Sequence, residues 1–193
     1  KNIQVHNQNA LEANISSRAA LNLQNINITN IQKGDLITKK GHIRGFDGID
    51  ISFKCLKGKK LNHNQTYSLF IGAKKIEVKV LLFDCITNIE EGFATIKANE
   101  NLYTIFGEKI LLRNANDTIC GGIVLNPIID PMKKNQTRNL LEALNKKDFT
   151  NAYKELLEAH KKGLGIISST QRFALSHNEA IDFAKKMQDV FID

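Results

Sequence analysis

The hydrophobic pattern changes period once along this chain, and that change bounds what it can fold into. Up to about residue 125 apolar residues stand at every second position or in short β-branched runs; beyond Pro127 and Pro131 they recur every three or four. Period two sends successive side chains to opposite faces of a strand, whereas the longer period lines one stripe of a helix. A β region followed by a helical one is therefore expected. The cleanest strand is Lys75-Ile76-Glu77-Val78-Lys79-Val80, which alternates without a break. The full set of candidate strands is 3–6, 18–23, 35–38, 49–56, 66–71, 75–83, 93–98, 109–113 and 119–125. Turn residues separate them at short intervals, as in Lys33-Gly34-Asp35, Lys57-Gly58-Lys59 and Phe106-Gly107. Many short strands so spaced predict a sandwich or barrel.

The stretch Lys39-Lys40-Gly41-His42 is the expected join between two β units, so residues 1–40 belong to a first, partial unit and 41–131 to a complete one. Residues 132–193 are the expected helical segment. There Leu140, Leu141 and Leu144, then Tyr153, Leu156, Leu157 and His160, keep helical spacing, and Gly163 supplies a stop. Ser176 followed by Glu179 is a capping box for a last helix carrying Ile181, Ala184, Met187, Val190 and Phe191. With Gly165-Ile166-Ile167-Ser168-Ser169 these helices are expected to make a small domain, the start of a winged helix being one form it takes. The chain opens on Lys1-Asn2-Ile3-Gln4-Val5, with no methionine, inside a candidate strand, and is expected to be part of a longer protein.

Composition narrows the function classes. Lys and Arg number 27 against 20 Asp and Glu, a formal net charge of +7, which suits a polyanionic partner such as RNA. The abundance of Asn, Lys and Ile is also what an AT-rich coding bias produces. Cys55, Cys85 and Cys120 are odd in number and far apart, without a Cys-x-x-Cys pair, so free thiols in a reducing cytoplasm are expected and a metal site is not. No apolar run has the length of a membrane span. The five histidines, His6, His42, His63, His160 and His177, have neither ligand nor triad spacing. Asn145-Lys146-Lys147-Asp148 matches the string with which GTPases recognise guanine, yet it lies between helices and no phosphate loop accompanies it; Asp148 is expected to be an N-cap. No catalytic residue is assigned to this chain.

Four segments carry a family resemblance: Ile3-Gln4-Val5-His6-Asn7-Gln8, Arg18-Ala19-Ala20-Leu21-Asn22-Leu23-Gln24, Ile31-Gln32-Lys33-Gly34-Asp35-Leu36-Ile37 and Gly107-Glu108-Lys109-Ile110-Leu111-Leu112-Arg113. They occur in the order found in translational GTPases of the elongation factor Tu type. The first three resemble the second half of the barrel domain that follows the GTPase, domain II, and the fourth resembles the close of the next barrel, domain III. Thr118-Ile119-Cys120-Gly121-Gly122-Ile123-Val124-Leu125-Asn126-Pro127 is similar to the strand ending that barrel in the bacterial selenocysteine-specific elongation factors, the SelB family, apart from Cys120 in place of the usual glycine. The resemblance extends over residues 1–127, and the helical continuation also suits that family.

The resemblance implies a mainly β fold of translation-factor barrels followed by a helical segment, and a fragment of a factor that delivers selenocysteinyl-tRNA to the ribosome at UGA codons. It implies that GTP and Mg belong to a domain not in this chain, and that the C-terminal region of the whole protein meets a selenocysteine-insertion mRNA hairpin. In this family the aminoacyl end is held by a residue at one strand end and another twelve positions on; His6 and Arg18 have that separation. Arg18 would face the selenolate and His6 would pack beside the aminoacyl end. A solvated rim arginine and an ordinary surface histidine are the plainer alternatives. The rest of the pocket is expected from upstream chain. Lys39, Lys40, Arg44, Lys59, Lys60, Lys74 and Lys75 are available for tRNA phosphates, with no choice among them. The alternatives are the barrels of another translational GTPase serving ordinary aminoacyl-tRNA, and a β-barrel scaffold for a protein partner.

Overall fold

A computed structural model describes residues 2–14, 17–83, 87–160 and 163–187. Cys85, Val190 and Phe191, named above, lie outside the described residues. The chain divides into two compact units, Lys1–Asp35 and Leu36–Asp193.

In the first unit β1 (Asn2–Val5), β2 (Gln8–Ala10) and β3 (Ala19–Asn22) form an antiparallel sheet in the order β2-β1-β3. His6 and Asn7 join β1 to β2 with φ of 51° and 62°. Two consecutive left-handed residues form the tight turn whose twist matches that of paired strands. The candidate strand 35–38 does not form. Leu36 and Ile37 are 52% and 65% exposed, so this apolar run finds neither a ladder nor a core. The Asp35 carboxylate instead accepts the Gln32 N–H at 2.7 Å, closing the Lys33-Gly34 turn.

The second unit is built on a closed barrel. Its strands are β4 (Phe46–Cys55), β6 (Gln65–Ile71), β7 (Lys74–Leu82), β9 (Glu91–Leu102), β10 (Lys109–Arg113) and β11 (Thr118–Asn126), while β5 (Leu61–Asn62) and β8 (Asn88–Ile89) pair outside it. Around the barrel the order is β10-β11-β4-β9-β7-β6, antiparallel throughout. The alternation in β7 does what period two requires: Ile76, Val78, Val80 and Leu82 are buried, and Lys75, Glu77 and Lys79 face water. Ile49, Ile51, Leu69, Ile96 and Leu112 pack into the same barrel core.

Among the described residues four helices follow: α1 (Lys134–Asn145), α2 (Phe149–His160), α3 (Ile166–Phe173) and α4 (His177–Lys186). Leu140, Leu141, Leu144, Tyr153, Leu156 and Phe173 share a core with Phe106 and Leu125 of the barrel portion, so the apolar stripes seen in sequence are buried against it. Phe106 meets Phe149 edge-on at 5.2 Å between ring centres, and Phe149 meets Phe173 at 5.3 Å. Polar groups lock the same junction. The buried Gln171 amide donates to the Arg44 and Thr104 carbonyls, both at 2.9 Å, and its oxygen accepts the Arg44 N–H at 3.1 Å. Arg172 pairs with Asp130 at 2.6 Å and donates to the Ile128 carbonyl at 3.2 Å, with His160 3.1 Å from the same carboxylate. Burial depresses the Arg172 pKa, while the Asp130 charge opposes that shift.

The helix ends follow the expected chemistry. The Ser176 hydroxyl accepts the Glu179 N–H at 3.3 Å and the Glu179 carboxylate accepts the Ser176 N–H at 2.7 Å, which holds that carboxyl below its usual pKa. Asp148 precedes α2 and accepts from the Asn151 N–H at 3.1 Å and from its side-chain amide at 2.6 Å. Its carboxylate is thus engaged in capping, and the Asn-Lys-x-Asp string stands at a helix–helix turn. No helix among the described residues is long and apolar enough to cross a membrane, and no metal-ligand cluster occurs among them.

Candidate nucleic-acid interface

In the first unit, strand register brings together two residues that sequence separates. Val5 pairs with Ala19 across β1 and β3, so the next position of each strand sets His6 opposite Arg18. Both line a notch of about 700 Å³ with Gln4, Asn7, Ser17 and Ala20. His6 opens the left-handed turn after β1, and Arg18 immediately precedes β3. Both side chains are exposed, so the guanidinium is solvated within this unit.

In the second unit the outer face of the barrel carries a groove of about 970 Å³. Its floor follows one row of the ladder: Lys75 pairs with Phe70, Phe70 with Leu111, Leu111 with Gly121, Gly121 with Lys54, and Lys54 with Glu91. Gly121 leaves the middle of that row without a side chain, so a trough opens between Leu111 and Lys54. Phe70, Phe93 and Ile123 are half-buried along it and Leu111 is 47% exposed. Lys54 and Lys109 line the trough. Arg113 and Lys75 lie over the Phe70 ring at 5.6 and 5.9 Å. Glu91 is the one carboxylate among the described lining residues, and Lys54 pairs with it at 3.1 Å. An apolar, partly aromatic floor with a basic rim offers phosphate contacts beside a surface for ribose or base.

Of the seven basic residues singled out from sequence, none lines this groove; Lys75 lies over the ring of its lining residue Phe70. Lys59 pairs with Asp117 at 2.7 Å, Lys60 stands 4.0 Å from Glu90, and Lys74 pairs with Glu100. Arg44 lies over Phe46 at 5.9 Å, away from the groove, and Lys39 and Lys40 are exposed in the loop ahead of β4. Lys54, Lys109 and Arg113 were not singled out. Their signal was present but weak: each occupies an outward position of a strand whose alternate residues are buried, and only register shows that those strands are neighbours.

A closed six-stranded antiparallel barrel with this strand order, followed by a few helices, is the fold of the translation-factor barrel domains. The crystal structure of a bacterial selenocysteine-specific elongation factor, EF-Sec, superposes with a TM-score of 0.73 at 21% sequence identity, over 91% of this chain and 28% of that one. The chain thus spans about 28% of the length of that factor. No family model matches the sequence, and neither does any curated protein.

Proposed function

We propose that this chain is the tRNA-binding barrel portion of a cytoplasmic factor that brings selenocysteinyl-tRNA to the ribosome at UGA codons. The observation that carries the proposal is the juxtaposition of His6 and Arg18, twelve residues apart, at the mouth of one notch. A selenol ionises more readily than a thiol, so a fixed guanidinium favours the selenolate, whereas a serine hydroxyl stays neutral and leaves the cation unpaired. The aminoacyl group and the rest of the first barrel supply the cover that Arg18 lacks within these residues. His6, held at the turn, packs beside the aminoacyl end. The basic-rimmed groove of the second unit takes the sugar–phosphate backbone of the same tRNA.

This chain carries no phosphate loop, so GTP and Mg are assigned to a part of the factor outside it, and nucleotide hydrolysis is not a property of these residues. The helical segment leads towards a winged-helix region that meets the mRNA hairpin.

The test is Arg18→Ala in the complete factor, with binding of selenocysteinyl-tRNA and seryl-tRNA measured side by side. Loss of a desolvated charge pair should lower the preference for selenocysteinyl-tRNA by at least about tenfold, corresponding to about 1.4 kcal/mol. An unchanged ratio would remove the selenocysteine assignment and leave a carrier of ordinary aminoacyl-tRNA; loss of both affinities together would give Arg18 a general role in tRNA binding.

A further inference from the structure

Two of the three cysteines, 65 positions apart, are direct cross-strand partners: Cys55 at the end of β4 is in register with Cys120 near the start of β11. The Leu56 N–H donates to the Ile119 carbonyl at 2.9 Å, so Leu56 and Ile119 form the hydrogen-bonded pair and the adjoining Cys55–Cys120 pair is the non-hydrogen-bonded kind. Such pairs hold their Cα atoms about 4.5 Å apart with side chains converging, inside the span of about 4.4–6.8 Å that a disulfide bridges. Both thiols are free, and they lie within hydrogen-bonding reach of each other. Cys120 is fully buried in the barrel core, whereas Cys55 is half-buried, so a small reagent can meet Cys55 first.

We propose that Cys55 and Cys120 are a redox site that a low-molecular-weight disulfide converts into a cross-strand disulfide tying β4 to β11. The Cys55 thiol loses its proton and its sulfur attacks the reagent disulfide, forming a mixed disulfide and releasing one reagent thiolate. The Cys120 thiol then loses its proton and attacks the Cys55 sulfur; the Cys55–reagent bond breaks and a second reagent thiolate leaves. Two protein thiols are oxidised by two electrons in all, and one reagent disulfide is reduced to two thiols. The reaction also removes the Cys55 hydrogen, which lies 3.8 Å, sulfur to oxygen, from the Ile89 carbonyl of β8. Burial pushes both thiols above their usual pKa, most strongly Cys120, where the neighbouring Cys55 adds to the shift. The pair therefore reacts slowly at neutral pH and faster as pH rises.

The experiment incubates the folded protein with oxidised glutathione at about pH 8, quenches with acid, alkylates in denaturant and maps peptides by mass spectrometry. The expected product is a Cys55 peptide linked to a Cys120 peptide, lighter by two hydrogen atoms than the two free peptides, formed equally in Cys85→Ser. Cys120→Ser should instead retain one glutathione on Cys55. Three results would overturn the proposal in the wild-type chain: a stable glutathione adduct on Cys55 with Cys120 still free, both thiols free, or a link through Cys85. The wild-type measurement decides the matter even if a variant fails to fold.

Discussion

Asp50 is an acid removed almost completely from water, at 2% exposure, on the outer face of the barrel beneath the helices. Its carboxylate accepts from the Thr95 hydroxyl at 2.6 Å and from the Asn126 amide at 2.9 Å. Burial nevertheless raises its pKa above the ordinary carboxylate value, the two hydrogen bonds opposing that shift and the Asp130 charge adding to it. A raised folded-state value means that the folded protein keeps this proton longer than the unfolded chain does. The stabilising contribution is therefore complete below about pH 4 and is lost as pH rises through the folded value. Asp50→Asn keeps the shape and a carbonyl acceptor but cannot ionise. Urea unfolding between pH 4 and neutrality should show the wild type losing stability relative to Asp50→Asn as pH rises; parallel profiles would mean that another group bears this cost.

Among the barrel strands, β11 carries two adjacent glycines of unequal importance. A Cβ on Gly122 would run into the Ser52 carbonyl oxygen and come within 3.3 Å of the Phe53 Cα, both backbone atoms of β4. A Cβ on Gly121 would meet the Leu111 side chain at 3.7 Å, an ordinary contact. Gly122→Ala should cost about 1–3 kcal/mol by forcing β4 and β11 apart, whereas Gly121→Ala should stay within about 0.5 kcal/mol. Chemical denaturation of the two variants checks this, and equal effects would refute the asymmetry. Gly121→Ala would at the same time begin to fill the trough between Leu111 and Lys54. The Gly-Gly pair thus combines a packing requirement at one residue with an opening in the outer surface at the next.

At the scale of the whole molecule, the two units present different chemistry, and the proposed tRNA contacts can be tested on the second. The first presents a single arginine and a histidine at a notch; the second presents a groove lined by Lys54 and Lys109, with Lys75 and Arg113 over the ring of its Phe70. Phosphate contacts release counterions, so tRNA affinity should fall steeply with salt, with a log–log slope of about −2 to −4 if two to four of these groups engage. Lys109 is exposed, so Lys109→Ala should leave the fold intact and make the slope shallower by about 1. Filter binding across a salt series measures this. An unchanged slope would move the backbone contacts off the groove, while absence of tRNA binding at low salt would favour a protein partner over RNA.

Local chemistry determined much of this molecule. The change from period two to helical period marked the end of the barrel region, the alternation of Lys75–Val80 assigned its buried face, and Ser176 with Glu179 and Asp148 marked two helix starts, since each signal lies within a few residues of what it describes. The same local reasoning failed at 35–38, where an apolar run was present but no strand lay beside it. Tertiary structure decided which strands are neighbours. Only that pairing set His6 against Arg18, joined Cys55 to Cys120 and assembled Phe70, Leu111, Gly121 and Lys54 into one row. A strand's own residues specify which face is apolar, but the partner across the ladder is settled by how the whole sheet assembles.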